Sequence, residues 1–201
     1  MARLLLVRHG DTKLNSRKRF WGVTDVELSS AGIRQAERLR DYLASEKIGA
    51  VYSSNLKRAL VTAEIVASGH QLGVIACGEL REVNFGELEG LAFADIGQRY
   101  PELAESWVRR NPKLKYPGGD SLDEFSSRVG KFLSRLDNHA AEETILIVAH
   151  SGVLRTLICQ LLGMELERRW QFRIDLGSLS VVETYSQEAI LTRLNDVSYL
   201  D

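Results

Sequence analysis

Two segments far apart in the chain end in the same way. Near the N-terminus Leu4-Leu5-Leu6-Val7 runs into Arg8-His9-Gly10, and much later Thr144-Ile145-Leu146-Ile147-Val148-Ala149 runs into His150-Ser151-Gly152. Between them lie Arg58 and a glycine-punctuated stretch carrying Glu82, Glu87 and Glu89. Two guanidiniums and an imidazolium gathered around a second imidazole suit a tetrahedral dianion, and phosphate is the first candidate. Arginine offers paired N–H groups that match phosphate oxygens. Such cations also neutralise a transferring phosphoryl group, a task that metals perform elsewhere. One of the two imidazoles then acts as the nucleophile: it attacks phosphorus as the neutral ring and forms a phosphohistidine. A backbone carbonyl on its other nitrogen would fix the tautomer. The leaving alkoxide needs a proton, which a carboxylic acid beside an anion can retain, and Glu82 is the leading candidate. In a second step the same group would deprotonate the attacking water. No Asp/His cluster has metal-ligand spacing, so neither a metal nor another cofactor is expected.

These groups need elements to hold them. Each apolar run reads as a buried strand, which places Arg8, His9 and His150 at strand ends. In an open α/β sheet the carboxyl ends of the strands are where ligands bind. The N–H groups near Ser151 and Gly152 open a helix and are expected to be free to meet an anion. Residues 13–27 form a polar, basic loop with Arg17, Lys18, Arg19, Phe20 and Trp21, suited to wrapping a ligand or to pinning itself on the core. A helix follows from Ser29 or Ser30, its N-cap, with Ala36, Leu39 and Leu43 on the buried side. Gly49–Ser54 is a second strand, leading into a capped helix over 55–67. Arg58 falls in that helix's first turn, where a cation opposes the helix dipole, so an anionic ligand or solvent must account for it. Gly73–Cys77 is a third, edge strand. Glu87 and Glu89 read as solvated loop acids.

Residues 92–115 give one or two short helices broken at Pro101 and Pro112. With the turn that follows, 92–119 forms a basic, partly aromatic lid carrying Trp107, Arg109, Arg110, Lys113 and Lys115. Ser121 and Glu124 form a capping box ahead of a core-packing helix. Two antiparallel strands close the chain, joined by a turn at 186–188. Strands alternating with amphipathic helices predict a three-layer doubly wound α/β domain over 1–201. It has a mostly parallel central sheet, helices on both faces and the small helical lid.

The chain has 201 residues, 44% hydrophobic and 26% charged, with a net charge of −1. That balance offers no global basic field for nucleic acid or an anionic membrane. No apolar run approaches a membrane span or a signal-peptide core, so the cytoplasm is the expected setting. Cys77 and Cys159 match no metal or redox spacing and read as buried small apolar residues. His70 and His139 read as surface residues. There is no G-x-G-x-x-G and no Walker-type lysine loop, which argues against a nucleotide-binding regulator.

The motifs, in this order, resemble the histidine phosphatase superfamily, whose best-known branch is phosphoglycerate mutase. Leu6-Val7-Arg8-His9-Gly10-Asp11-Thr12 with Asn15 looks like the family signature, although Glu is commoner where Asp11 stands. Asp25, Leu28, Gly32, Gln35 and Ala36 fit the next segment. Ser53 to Ala59 with Thr62 and Ala63, Glu82 with Phe85-Gly86 and Glu89-Gly90, and Val148 to Gly152 fit the others. The resemblance implies that His9 is the phosphorylated nucleophile and Glu82 the proton donor. It implies that Arg8, Arg58 and His150 form the phosphate pocket, with Asn15 as a further donor.

Mutases of the family carry Arg and Tyr just after this Glu to hold a carboxylate. Val83 and Phe85 stand there instead, and the insertion before Ser121 is shorter, which favours hydrolysis. The pattern looks like the small bacterial phosphatases, a group that includes α-ribazole phosphatase of cobalamin assembly, phosphoserine phosphatase and broad-specificity members. The implied substrate is a small phosphorylated metabolite, with α-ribazole 5′-phosphate favoured by resemblance and a homodimer left open. A non-catalytic phosphate-binding module would break at least one of the five central positions, and none is broken. Specificity is expected in Arg17 to Trp21, notably Arg19 and Trp21, and in the lid through Arg109 or Arg110.

Overall fold

The computed structural model describes residues 2–14, 19–111, 113–140, 142–186 and 188–201. Asn15 and Arg17 lie outside the described residues. Six strands form one sheet: β1 (Ala2–Arg8), β2 (Ile48–Ser54), β3 (Val74–Cys77), β4 (Thr144–Ala149), β5 (Leu179–Thr184) and β6 (Ala189–Asp196). Their order is β3-β2-β4-β1-β5-β6. The pairs β1/β4, β2/β4 and β2/β3 are parallel. The pairs β1/β5 and β5/β6 are antiparallel, so β5 alone runs against the others. β3 is an edge strand, as its sequence predicts.

Continuous apolar runs place β1 and β4 at the centre, where both faces of a strand are covered. Leu4, Leu5, Leu6 and Val7 are all buried, each worth about 1.5–3 kcal/mol against an exposed side chain. Their alternation divides the core in two. Leu5, Val7, Val51 and Val148 face the helices α1 (Ser30–Tyr42) and α2 (Lys57–Ser68) through Leu39, Ala59, Ala63 and Val66. Leu4, Leu6, Ile145 and Ile147 face α5 (Leu122–Leu136) and α6 (Ser151–Leu161) through Phe125, Val129, Phe132, Leu154 and Leu157. The result is the three-layer α/β architecture.

Local capping signals hold where both partners are close in sequence. The Ser29 hydroxyl accepts from Gly32 N at 3.1 Å and starts α1. Ser121 and Glu124 form the capping box of α5. The helix carrying Arg58 differs from expectation: its N-cap is Leu56, which has no side-chain cap. Asp25, far away in sequence, supplies the acceptor instead, with Lys57 N donating to its Oδ1 at 2.8 Å.

The predicted lid contains α3 (Phe93–Arg99) and α4 (Pro101–Val108). Pro101 opens α4 at its first position, where its missing N–H costs nothing. Cys77 and Cys159 are both free and buried. The two remaining histidines are only partly exposed. His139 bonds Tyr52 Oη at 2.8 Å and sits 3.1 Å from Glu143. His70 has a buried Nε2 and is partly covered. Among the described residues no helix is long and apolar enough to cross a membrane.

Candidate active site

The register of the two central strands builds the site. Arg8 is level with Ala149 in the parallel β1/β4 pair, so the residues that follow, His9 and His150, emerge side by side. Their ring centroids are 5.1 Å apart with planes at 60°. β2 joins the same sheet end: the His150 Nε2 lies 2.9 Å from Ser54 Oγ.

His9 is 5% exposed and its Nδ1 is 2.7 Å from its neighbour's carbonyl, Gly10 O. An acceptor there requires Nδ1 to carry the proton, which leaves the Nε2 lone pair as the nucleophilic position. Burial, then the charges of Arg58 and Arg8, hold this imidazole well below its usual pKa. His150 is 1% exposed and held low by burial first, then by Arg58, His9 and Arg8.

Arg58 is 2% exposed, so solvent does not account for a cation in the first turn of α2. Its Nε donates to His150 Nδ1 at 3.2 Å. Its terminal nitrogens donate to Thr24 O at 2.8 Å and Gly22 O at 2.6 Å. Burial lowers its pKa, opposed by the charges of Glu82, Asp25 and Glu89. Arg8 donates to Ile174 O at 2.8 Å, while its buried Nε has no partner among the described residues. Burial lowers its pKa to about 10, so it stays cationic at neutral pH. A buried unpaired guanidinium N–H is costly unless an anion meets it.

Glu82 is 7% exposed. Its Oε1 accepts from Val83 N at 3.0 Å and its Oε2 from Gly152 N at 3.0 Å. This revises one expectation. Gly152 lines the cavity, but its N–H is engaged by the acid; Ser151 stands beside it on the cavity wall.

These groups form the floor of a cavity of about 420 Å³. Its upper wall is aromatic. Phe20 lies 4.7 Å from Trp107, and Phe85 stacks on Trp107 at 5.9 Å and meets Tyr116 edge-on at 5.1 Å. Trp21 and Arg19 line it, although the exposed Arg19 already donates to Gly90 O at 2.6 Å. Val83 and Phe85 line it too, on the side where mutases carry polar groups.

The lid arginines do not. Arg109 is exposed and ion-paired with Glu105 at 2.6 Å, and Arg110 lies outside the main cavity beside Val108. The cations that reach the far wall are Arg155 and Arg169, flanking Trp170 at 5.5 and 5.0 Å. Neither has a carboxylate partner among the described residues. Sequence reading missed both. For Arg155 a signal existed, because it follows Ser151 by one helical i, i+4 step and shares its face.

Fold and site together define an α/β enzyme that handles phosphoryl groups: adjacent imidazoles on parallel strand ends, two guanidiniums, and an acid held over them. Comparison with known proteins gives the family. The pattern of the histidine phosphatase superfamily (branch 1) matches residues 4–197, and the chain belongs to that family. It is 32% identical to phosphoserine phosphatase 1 of Hydrogenobacter thermophilus, over 100% of this chain and 95% of that one. It is 36% identical to the adenosylcobalamin/alpha-ribazole phosphatase of Escherichia coli, over 96% and 95% of the two chains. The crystal structure of the alpha-ribazole phosphatase of Shigella flexneri superposes with a TM-score of 0.89 at 36% identity, covering 96% of each chain. The protein is a phosphoric monoester hydrolase.

Proposed function

We propose that the chain hydrolyses a small phosphomonoester through a phosphohistidine on His9, without a metal. The observation that carries this is the His9 tautomer: Nδ1 faces Gly10 O, so an unprotonated Nε2 stands in a cavity bounded by Arg8, Arg58 and His150. The phosphoryl oxygens take the place between the two guanidiniums, which neutralise charge as the P–O bond breaks. His9 Nε2 attacks in line, and Glu82 protonates the leaving oxygen. Water, deprotonated by Glu82, then attacks the phosphohistidine; phosphate leaves and His9 returns to the neutral ring. Asn15 is assigned as a further phosphate donor by resemblance. Segment 92–119 covers the leaving-group side as a lid, and the buried free cysteines fit a cytoplasmic setting.

The aromatic wall supports an alcohol that presents a ring, and α-ribazole 5′-phosphate, acted on by relatives, is the first substrate to try. A second reading rests on Arg155 and Arg169. Two cations without carboxylate partners among the described residues suit an alcohol bearing a carboxylate, such as phosphoserine. The experiment is phosphate release from α-ribazole 5′-phosphate, phosphoserine, 3-phosphoglycerate and an aryl phosphate, with chelator present. Turnover that persists with chelator and vanishes in His9→Ala supports the phosphohistidine route, and the preferred ester chooses between the readings. Turnover that survives His9→Ala, or stops with chelator, overturns it.

A further inference from the structure

Glu89 does not line the cavity, and in sequence it reads as one more solvated acid. In the fold its carboxylate accepts from five donors. Gly22 N reaches Oε1 at 3.0 Å and Oε2 at 3.1 Å, and Val23 N, Thr24 N and Phe85 N lie at 3.1, 3.3 and 3.3 Å. The Thr24 hydroxyl adds a bond of 2.5 Å. Three consecutive N–H groups turned onto one anion make a backbone nest.

The other side of that nest is the Arg58 mount. A trans peptide is planar, with its N–H and C=O pointing opposite ways. Val23 N–H aims at Glu89, so the carbonyl of the same peptide, Gly22 O, aims away. There it accepts from Arg58 at 2.6 Å, and Thr24 O accepts from Arg58 at 2.8 Å. Segment 22–24 also rests on the stretch that carries the acid: a Cβ on Gly22 would lie 1.9 Å from Val83 O, next to Glu82. Of the five N–H donors of the guanidinium, three are tied to His150, Gly22 and Thr24, and the remainder are left to a ligand.

We propose that Glu89 is a positioning residue for phosphoryl transfer: through the Gly22–Thr24 backbone it fixes the angle of the Arg58 guanidinium over the phosphate. The inference rests on the reading of Arg58 as a phosphate ligand. A guanidinium without this mount turns about its last side-chain bond and loses the preorganisation that makes fixed donors effective in a dry site.

The test is a double-mutant cycle on the full chain with Glu89→Gln, Arg58→Gln and the double variant. It reads kcat/KM on the preferred ester, together with orthovanadate affinity by calorimetry, which needs no turnover. Gln keeps the size of Glu89 but sets an NH2 group against N–H donors. Glu89→Gln is expected to lower kcat/KM and to weaken vanadate binding by about tenfold to a hundredfold each. In the Arg58→Gln background it should change either by less than about twofold. Equal losses in both backgrounds overturn the proposal, as does a Glu89→Gln protein that binds vanadate like wild type. If Glu89→Gln does not fold, Thr24→Val, which removes only the hydroxyl bond, is read in the same cycle. It must show a smaller loss that also disappears without Arg58. Wild-type protein that binds no vanadate would instead refute the phosphate site itself, a separate outcome.

Discussion

Gly152→Ala separates the proton donor from the rest of the site. Gly152 is the second residue of α6, and its N–H holds Glu82 Oε2 at 3.0 Å. A Cβ there would lie 2.3 Å from Glu82 Oε1 and 3.2 Å from Cδ, where ordinary contact begins at 3.4 Å. The carboxylate must retreat by about 1 Å to restore contact distance. Misplacement on that scale costs roughly a hundredfold in rate. Folding should not suffer, since Ala is favoured over Gly in a helix by about 0.5–1 kcal/mol. The assay is kcat/KM, which covers steps up to phosphohistidine formation, on an alkyl phosphomonoester and on 4-nitrophenyl phosphate. Nitrophenolate leaves without a proton, so its loss should stay within about threefold while the alkyl ester loses roughly a hundredfold. Equal losses on the two esters, or none on either, would refute the assignment of Glu82 as the acid.

Other perturbations address the rest of the molecule. Burial is the largest cause of the low pKa of both His9 and His150, with Arg58 next. The folded protein keeps both rings neutral where the unfolded chain binds protons. Stability is therefore complete above about pH 6.5 and falls as pH drops through that value, by about 1.4 kcal/mol per unit for each ring. A wild-type Tm profile between about pH 8 and pH 5 that is no steeper than that of a His9→Asn/His150→Asn variant would contradict this. Trp107→Ala removes the ring that touches Phe20, Phe85 and Tyr116. It should cost about tenfold in kcat/KM on a ring-bearing ester and less on a small one, read by comparing the two esters. Phe132 is fully buried against Tyr52, and Phe132→Ala should cost about 3–5 kcal/mol in denaturant unfolding.

What could be read in the sequence follows the range of the interactions. Strands β1 and β4, the Ser29 cap and the Ser121–Glu124 box rest on neighbours in the chain, and periodicity and spacing report those. Arg8, His9 and His150 were legible because they stand at the ends of such strands, and Arg58 because it opens a helix; Glu82, in irregular chain between elements, was legible only as an acid in a glycine-punctuated stretch. Asp25 capping α2, Glu89 holding segment 22–24, and the Gly152 N–H held by Glu82 join residues tens of positions apart. No local pattern distinguishes such an acid from a solvated one. The arginines of segment 92–119 mislead for another reason. The segment's basic residues have the right composition, but Arg109 finds Glu105 one turn away on its own helix. The cavity takes its far cations, Arg155 and Arg169, from α6 and the turn after it.

The level pairing of Arg8 with Ala149 has an evolutionary consequence. The two imidazoles are placed by strands, whereas most of the leaving-group wall is borne by segments 19–27 and 82–125 and the short helix at 166–171, with Arg155 added from α6. Away from Glu82 and from the Gly22–Thr24 mount with its Glu89, those segments can lengthen, shorten or exchange side chains without moving His9 relative to His150 or releasing Arg58. A new substrate therefore demands new connections and leaves the reaction untouched, whereas one residue inserted within β1 would turn its side chains to the opposite face and end the chemistry.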